Sequence, residues 1–282
     1  MTFYRVLLPI LLIGICSSSC KSDGEDISKE DDQSQQLAAD TTPDAGNVPD
    51  GSPLTVEEWM KQGGPNPDSV WGTEELTAAY KTIQSLNQSA ELSLPQESGE
   101  GKAIFARLVS RENLEHIKAD ASSVDVAMGS LGSFMVILTQ IYFIYAQEAM
   151  AGKYYNDETI SMMILMLDAE VRFVDILDPF LEGIPAERKT DATFIAGLKK
   201  TQEGLTMSTN GAITVLRDQD VFTTPQLEKL ADAFTELGPK LLAGLDEEYR
   251  AELESNAKTT LEATTNEKIH KALTTVFPSL KN

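Results

Sequence analysis

Cysteine is nearly absent from this chain of 282 residues, and the position of the cysteines matters more than their number. The only two are Cys16 and Cys20, both within the first twenty residues. The rest of the chain therefore has no disulfide, no thiolate metal site and no cysteine nucleophile. We expect packing alone, without covalent cross-links, to stabilise the part that folds.

Histidine is as scarce, and the short motifs of common catalytic sites are missing. The two histidines are His116 and His270, and neither belongs to an H-E-x-x-H or H-x-x-E sequence, which excludes a helical zinc peptidase. G-x-S-x-G and P-loop motifs are absent too, so neither a serine-hydrolase elbow nor a nucleotide-phosphate loop is indicated. The sequence predicts no catalytic residue, no metal ligand and no cofactor.

Basic residues are few relative to acidic ones. Lysine and arginine together number 23 against 44 aspartates and glutamates, which gives a net charge of −21 at pH 7. A surface of this sign repels the phosphates of nucleic acids and of anionic lipids. We expect no nucleic-acid partner, and a charged partner should be a cation or a basic protein or peptide.

The first twenty residues have the pattern of a secretory signal. Arg5 precedes the apolar residues 6–15, a run too short to be a permanent membrane anchor, and three serines precede Cys20. At these residues the chain resembles a bacterial lipoprotein precursor, although Ser17 stands where that family usually has leucine. The resemblance implies a signal peptide of residues 1–19 and a lipidated Cys20 that anchors the protein to a membrane. A plain secretory signal with incidental cysteines is the alternative.

Residues 20–53 have almost no large apolar side chain. Such a segment cannot bury enough surface to offset the entropy of ordering, so we expect a disordered acidic tether that reaches about 30 Å. Lys21, followed by Asp23, Glu25 and Asp26, resembles the signal that directs some Gram-negative lipoproteins to the outer face. The resemblance implies a lipid-anchored protein of the bacterial cell envelope, in the outer membrane, and leaves its periplasmic or surface location open.

A stretch of 22 residues, 126–147, has no charge in a chain that is 24% charged. It must be shielded from water, and we expect it to form a buried central helix around which the domain is organised. Its most apolar part, residues 134–146, is shorter than the roughly 20 residues that cross a bilayer. Insertion of residues 126–147 into a membrane is the alternative.

Helix start and stop signals recur after the tether. Thr55 and Glu58 have the spacing of a capping box, Asp191 begins a helix as its N-cap, and Thr224 is an N-cap followed by proline at the first helical position. Pro239, with a glycine before it, predicts the end of a helix.

Residues 54–282 contain apolar side chains at spacings of three and four, and no alternating pattern with hairpin turns. The first pattern is typical of amphipathic helices, and the second would be needed for a sheet. We therefore predict one all-α domain of about eight or nine helices.

The helix after the charge-free stretch carries acidic residues opposite its apolar side. Spacings of seven, three and four place these residues along one helical side, where we predict an acidic ridge. The ridge is interpreted as a face for a basic partner or a cation, and a merely solvated helix side is the alternative. Its members are Asp168, Asp175, Asp178 and Glu182.

The functional prediction is a non-enzymatic binding or scaffold module for a protein or peptide partner. Two alternatives stay open: a hydrolase that uses two carboxylates in a groove between helices, and a protein that inserts residues 126–147 into a membrane. A cleft with converging carboxylates of raised pKa would favour the hydrolase, whereas an exposed apolar patch would favour the binding module.

Overall fold

The computed structural model describes residues 52–89, 91–119, 123–152 and 154–281. The signal peptide, Cys20 and nearly all of the tether lie outside these described residues. The expectations for residues 1–51 therefore stay predictions.

Helices dominate the described part of the chain, where the only extended pairing is a single bridge between Ser52 and Leu92. The all-α prediction is confirmed, and nine of the eleven helices have seven or more residues. The helices are α1 (Val56–Lys61), α2 (Thr73–Ser89), α3 (Lys102–Leu108), α4 (Arg111–Ala119), α5 (Val124–Gly152), α6 (Asn156–Gly183), α7 (Ala186–Lys189), α8 (Ala192–Val215), α9 (Thr224–Ala243), α10 (Glu247–Ala263) and α11 (Glu267–Val276), with a final 3₁₀ turn at Pro278–Lys281.

The two longest helices, α5 and α6, are joined by a short turn and form a helical hairpin. α2 packs against α5, α9 packs against α6, and α11 packs against α9. α8 and α10 form a second pair that contacts α6, α9 and α11. The buried apolar side chains form one contiguous core, so the described residues fold as a single domain.

The charge-free stretch lies in α5, and the prediction of a buried apolar helix is confirmed. Phe134, Leu138, Ile141 and Tyr145 recur at spacings of four, three and four and are fully buried. Among the described residues, α5 is the one helix long and apolar enough to cross a membrane, and 56% of its most apolar window is buried in the domain. α6 has more buried positions than α5 and packs against α5, α8 and α9.

The predicted helix starts are confirmed where the capping residue contacts only its own helix. Thr55 and Glu58 form the capping box, in which the backbone N–H of Glu58 donates to Thr55 Oγ1 at 3.1 Å. Asp191 caps α8 by accepting from two backbone N–H groups. The prediction of Thr224 as an N-cap is wrong by one residue, because Thr223 caps α9 together with a glutamine three residues on.

The prediction that a helix ends at Pro239 is wrong, since α9 continues through this proline and ends at residue 243. Leu237 and Leu241 are buried on either side of this proline, and their packing outweighs the roughly 3 kcal/mol that an interior proline costs. Gly238 lets α11 approach closely, because a Cβ there would lie 2.7 Å from a methyl group of Val276. Tertiary packing thus overrides the local stop signal.

Candidate functional site

The predicted acidic ridge loses its first member in the structure. Asp168 is 7% exposed, and its Oδ2 lies 3.1 Å from Arg111 Nε of α4 and 3.8 Å from Arg172 Nε of α6. The expectation that Asp168 lies on the surface is wrong, because helical spacing does not reveal that α4 covers this turn of α6. Asp168 is part of an ion-pair network that attaches α4 to α6.

The other three ridge residues lie on the surface. Asp175, Asp178 and Glu182 are exposed in the last third of α6, and the last turn of this helix has no basic residue. The carboxyl end of a helix carries partial negative charge, so acidic side chains there are unfavourable for stability. These three residues remain an acidic surface suited to attract a cationic group.

One side of α5 is partly exposed to solvent and bears no charge from residue 126 to residue 147, and Glu148 follows on the same side. Its side chains recur at spacings of three and four, and Val126, at 47%, is among the most exposed apolar residues. We call this stripe the open side of α5. Its members are Val126, Gly129, Ser130, Ser133, Val136, Ile137, Gln140, Phe143, Ile144 and Gln147.

The open side of α5 is unusual for a solvent-facing helix surface. Helices of soluble domains normally place charged residues opposite their core side. From residue 126 to residue 147 the open side extends about 32 Å at 1.5 Å per residue. An uncharged, partly apolar surface of this length on a strongly acidic protein is typical of a docking surface.

A surface cavity of about 410 Å³ lies at the start of α6. Of the described residues that line it, three are acidic and none is basic, so we call it the acidic cavity. A smaller cavity of about 330 Å³ shares two tyrosines with it. The acidic cavity is lined by Tyr154, Tyr155, Asn156, Asp157, Glu158, Gln219, Asp220, Val221, Phe222, Thr223 and Gln226.

Tyr155, between the two cavities, has a left-handed backbone with φ 58° and ψ 26°. This conformation is uncommon for a bulky residue and needs support from its surroundings. Its hydroxyl accepts from the backbone N–H of Leu94 at 3.1 Å, and its ring meets the Tyr145 ring edge-on at 5.5 Å. Its carbonyl accepts from the backbone N–H and the hydroxyl of Thr159. These contacts hold Tyr155 in place between the two cavities.

Two polar side chains of the first turn of α6 are buried against the acidic cavity. Asn156 donates from Nδ2 to the carbonyl of Val221 at 2.6 Å, while its Oδ1 has no hydrogen-bond partner. Glu158 accepts at Oε1 from the backbone N–H of Glu97 at 2.7 Å. Burial raises the pKa of Glu158, with the nearby carboxylates of Glu97 and Asp157 adding to the rise.

Ser161 lies beside the acidic cavity, and its neighbours resemble those of a catalytic serine nucleophile. Lys229 Nζ lies 2.7 Å from Ser161 Oγ and 3.0 Å from Glu97 Oε1, and Ser161 Oγ also bonds to Glu97. Here Lys229 donates to both partners, so it offers Ser161 no lone pair to accept a proton. The cluster ties the segment before α3 to α6 and α9, and we assign it a structural role.

Glu170 is a buried carboxyl group away from both cavities. It is 3% exposed on α6, bonds to the Ser208 side chain of α8, and has one oxygen without a partner. Burial raises the pKa of Glu170 to about 8. A glycosidase-like reaction needs two carboxyl groups across a space for substrate. Glu170 lines neither of the two cavities described above, and Glu97 beside Glu158 is paired with Lys229.

Within the described ranges, no three histidine, cysteine, aspartate or glutamate side chains are close enough together to hold a metal ion. The half-buried His270 ring lies 2.7 Å from the carbonyl of Thr264, next to the start of α11. The structure assigns this histidine a local structural contact.

Sequence reasoning missed the acidic cavity. Residues 152–157 were recognised only as a turn, and the loop at residues 219–223 is about 65 residues away in sequence. The sole sequence signal was a pair of tyrosines followed by Asn156 in a turn after a long apolar helix. Nothing in that pattern indicates which loop will pack beside it.

Comparisons of this chain with models of protein families, with curated proteins and with solved structures found no match. Its function is therefore inferred from its own geometry.

Proposed function

We propose that residues 54–282 form a non-enzymatic binding module that docks a protein or peptide partner on the open side of α5. The observation that supports the proposal is the uncharged, partly exposed stripe of about 32 Å on this helix. Burial of such a stripe by a partner gains hydrophobic free energy without the desolvation of charges. An amphipathic helix laid along it is the partner element of matching length and chemistry.

The partner's charge follows from the surface around the stripe. Residues 54–282 contain 20 basic and 35 acidic residues, and Asp175, Asp178 and Glu182 form an exposed acidic surface at the end of α6. A partner with lysine or arginine beside its apolar side is attracted during encounter, and a nucleic acid is repelled. The proposed partner is thus a basic protein or peptide.

The lipoprotein-like N-terminus supports a proposed location in the bacterial cell envelope, with lipidated Cys20 in the outer membrane. The tether would then hold the domain about 30 Å from the bilayer. Metabolic labelling with palmitate should mark the parent chain and the Cys16→Ser variant but not Cys20→Ser. Label that persists in Cys20→Ser and disappears in Cys16→Ser would refute this assignment.

Photo-cross-linking tests the docking surface. A photoreactive amino acid is placed at Ile144 on the open side, and at Gln84, an exposed position of α2, as the matched control. In intact cells the Ile144 position should cross-link one protein through an amphipathic helix with basic edges, and the Gln84 position should not. A synthetic peptide of that helix should bind the purified chain, and Ile144→Lys should weaken binding about tenfold or more with an unchanged helical spectrum.

Two results would overturn the proposal. Cross-linking of Ile144 to lipid alone would support membrane insertion of α5, and an identified partner bound equally well by Ile144→Lys would place its docking surface elsewhere.

A further inference from the structure

We infer that the start of α8 is an interaction surface for a second copy of this chain, on which the α8 helices of the two copies pack antiparallel about Ile195. Three features of residues 186–248 support this inference: an uncovered helix face, an exposed apolar side chain, and charges of opposite sign on its two borders. The surface does not include the open side of α5, so the inference does not depend on the proposed function.

One face of α8 is covered by α10 over only part of its length. Gln202, Thr206 and Ile213 lie along this face at spacings of four and seven. The Gln202 side chain accepts from the backbone N–H of Asp246, just before α10, at 2.9 Å. The Ile213 carbonyl accepts from the Thr260 hydroxyl of α10 at 3.2 Å. Because α10 begins beside Gln202, the part of α8 before this residue extends beyond α10.

The same face is apolar and exposed where α10 does not cover it. Ile195 lies on this face, seven residues before Gln202, and its exposed fraction of 53% is the largest of any large apolar side chain among the described residues. Ala192 and Ala196 are exposed beside it, and such small side chains let a second helix approach closely. We call these three residues the uncovered start of α8.

Acidic residues border the uncovered start of α8 on the side of α10. Asp246, Glu247 and Glu248 are exposed at the start of α10, and Glu203 is exposed on α8. Burial raises the pKa of Tyr249, and the carboxylates of Glu203, Glu248 and Asp246 add to the rise. These carboxylates therefore lie near one ring and form one acidic border.

The opposite border, formed by α7 and the start of α8, is locally basic. Residues 186–200 contain four basic and two acidic residues, whereas residues 54–282 as a whole contain 20 basic and 35 acidic ones. Arg188 and Lys189 are exposed in the last turn of α7, a helix without any buried residue. We call these two residues the basic border.

A surface with these two borders is complementary to itself. A twofold interface brings the same surface of two copies together, so each part must fit its opposite part. With the two α8 helices antiparallel about Ile195, the basic border of one copy lies beside the acidic border of the other. Asp191 and Lys199, four residues before and after Ile195, then also face each other across the contact.

The net negative charge of the domain opposes the approach of two copies. Salt screens exposed charges beyond about 8 Å, so under physiological conditions the charges within the contact have the larger effect. The contact is small, and we expect a weak dimer with a Kd on the order of 100 µM.

Disulfide trapping of purified residues 52–282, which contain no cysteine, tests the inference. Ile195→Cys lies next to the proposed twofold axis, so its thiol should form a disulfide with the same residue of a second copy under mild oxidation. Met60→Cys is the matched control, because Met60 on α1 is an apolar residue with an exposed fraction of 50%. We expect a dimer yield for Met60→Cys about tenfold below that for Ile195→Cys. Equal yields would overturn the inference.

Charge reversal in the Ile195→Cys protein tests the complementarity of the two borders. Arg188→Glu with Lys189→Glu, and separately Glu247→Lys with Glu248→Lys, should each lower the dimer yield about tenfold, because like charges then face each other. An equimolar mixture of the two reversed variants should restore the yield as a heterodimer, which also shows that both variants are folded. A mixture that does not restore the yield would overturn the inference.

Two further variants separate this surface from the rest of the molecule. Lys81→Glu with Lys271→Glu changes the net charge as much as reversal of the basic border does, but at exposed positions of α2 and α11, and should leave trapping of Ile195→Cys unchanged. Ile144→Lys on the open side of α5 should leave it unchanged as well. Loss of trapping in either variant would overturn the inference, whereas loss of partner docking in Ile144→Lys tests only the proposed function.

Discussion

α5 and α6 are neighbours of nearly equal length. α5 has fewer charged residues than α6, yet it is the less buried of the two. α5 has no charge between residues 126 and 147 and still leaves one side uncovered. α6 carries Glu158, Asp168 and Glu170 at buried positions. The difference shows that apolar composition alone does not decide how deeply a helix is buried.

The buried acids of α6 also show three ways to hold a carboxyl group inside a protein. Asp168 is paired with two arginines, Glu158 accepts from a backbone N–H beside a cavity, and Glu170 has one hydroxyl partner and a raised pKa. Burial raises the pKa of Glu158 and the pKa of Glu170. The open side of α5 has no charged group and needs no such compensation.

The largest effect is expected on the buried side of α5. Leu138→Asp places a carboxyl group at a fully buried position and should destabilise the domain by about 4 kcal/mol or more, enough to unfold much of it. Ser133→Asp, on the open side of the same helix, should change the free energy of unfolding by less than about 1 kcal/mol. Urea unfolding followed by circular dichroism checks both variants. Similar losses in the two would show that the open side is covered in the folded protein.

The second effect concerns Glu170, whose pKa rises from 4.5 to about 8 on folding. The folded state binds this proton more tightly than the unfolded state does. The resulting contribution to the free energy of unfolding is therefore complete below pH 4.5 and is lost as the pH rises through about 8. At pH 9, Glu170→Gln should be more stable than the parent by about 3 kcal/mol, and at pH 4.5 the two should agree within about 1 kcal/mol. Urea unfolding at both pH values tests this, with Glu182→Gln as the exposed control. A difference that does not vary with pH would contradict the assignment.

The third effect compares a buried acid of α6 with an exposed one. Asp168→Asn removes the partner of Arg111 and Arg172 and should cost about 2 kcal/mol, less than a fully buried pair because Arg111 is half exposed. Asp175→Asn should leave stability within about 0.5 kcal/mol of the parent. Thermal unfolding of both variants distinguishes them. If Asp168→Asn is as stable as Asp175→Asn, α4 is not held to α6 by this network.

The smallest effect on stability is expected at the exposed end of α6. Replacing Asp175, Asp178 and Glu182 by Asn, Asn and Gln removes charges from the negative end of a helix and should stabilise the domain by about 0.5 kcal/mol. Glu247→Gln with Glu248→Gln, in the first turn of α10, should have the opposite sign.

The same triple variant should also associate more slowly with the basic peptide identified by cross-linking. The effect should be strongest at low salt, since exposed charges are screened beyond about 8 Å at physiological ionic strength. Stopped-flow mixing at two salt concentrations measures it. Equal rates for the parent and the triple variant would show that these residues are only solvated.

Sequence patterns predicted the fold class and most helices but little of the candidate sites. The capping box at Thr55 and the N-cap at Asp191 were predictable because their partners lie within three residues. The burial of Asp168 was not, because Arg111 is 57 residues away and on another helix. The acidic cavity was not predictable either, since Asn156 meets a loop that follows α8.

By itself the sequence determined that this protein is all-helical, that residues 126–147 lie in an apolar helix, and that the surface is acidic. These properties follow from contacts within one or two helical turns and from composition. Only the tertiary structure decided which side of α5 stays open, why α9 continues through Pro239, and which polar atoms surround the acidic cavity. Each of these depends on the packing of segments distant in sequence, whose pairing no local spacing specifies.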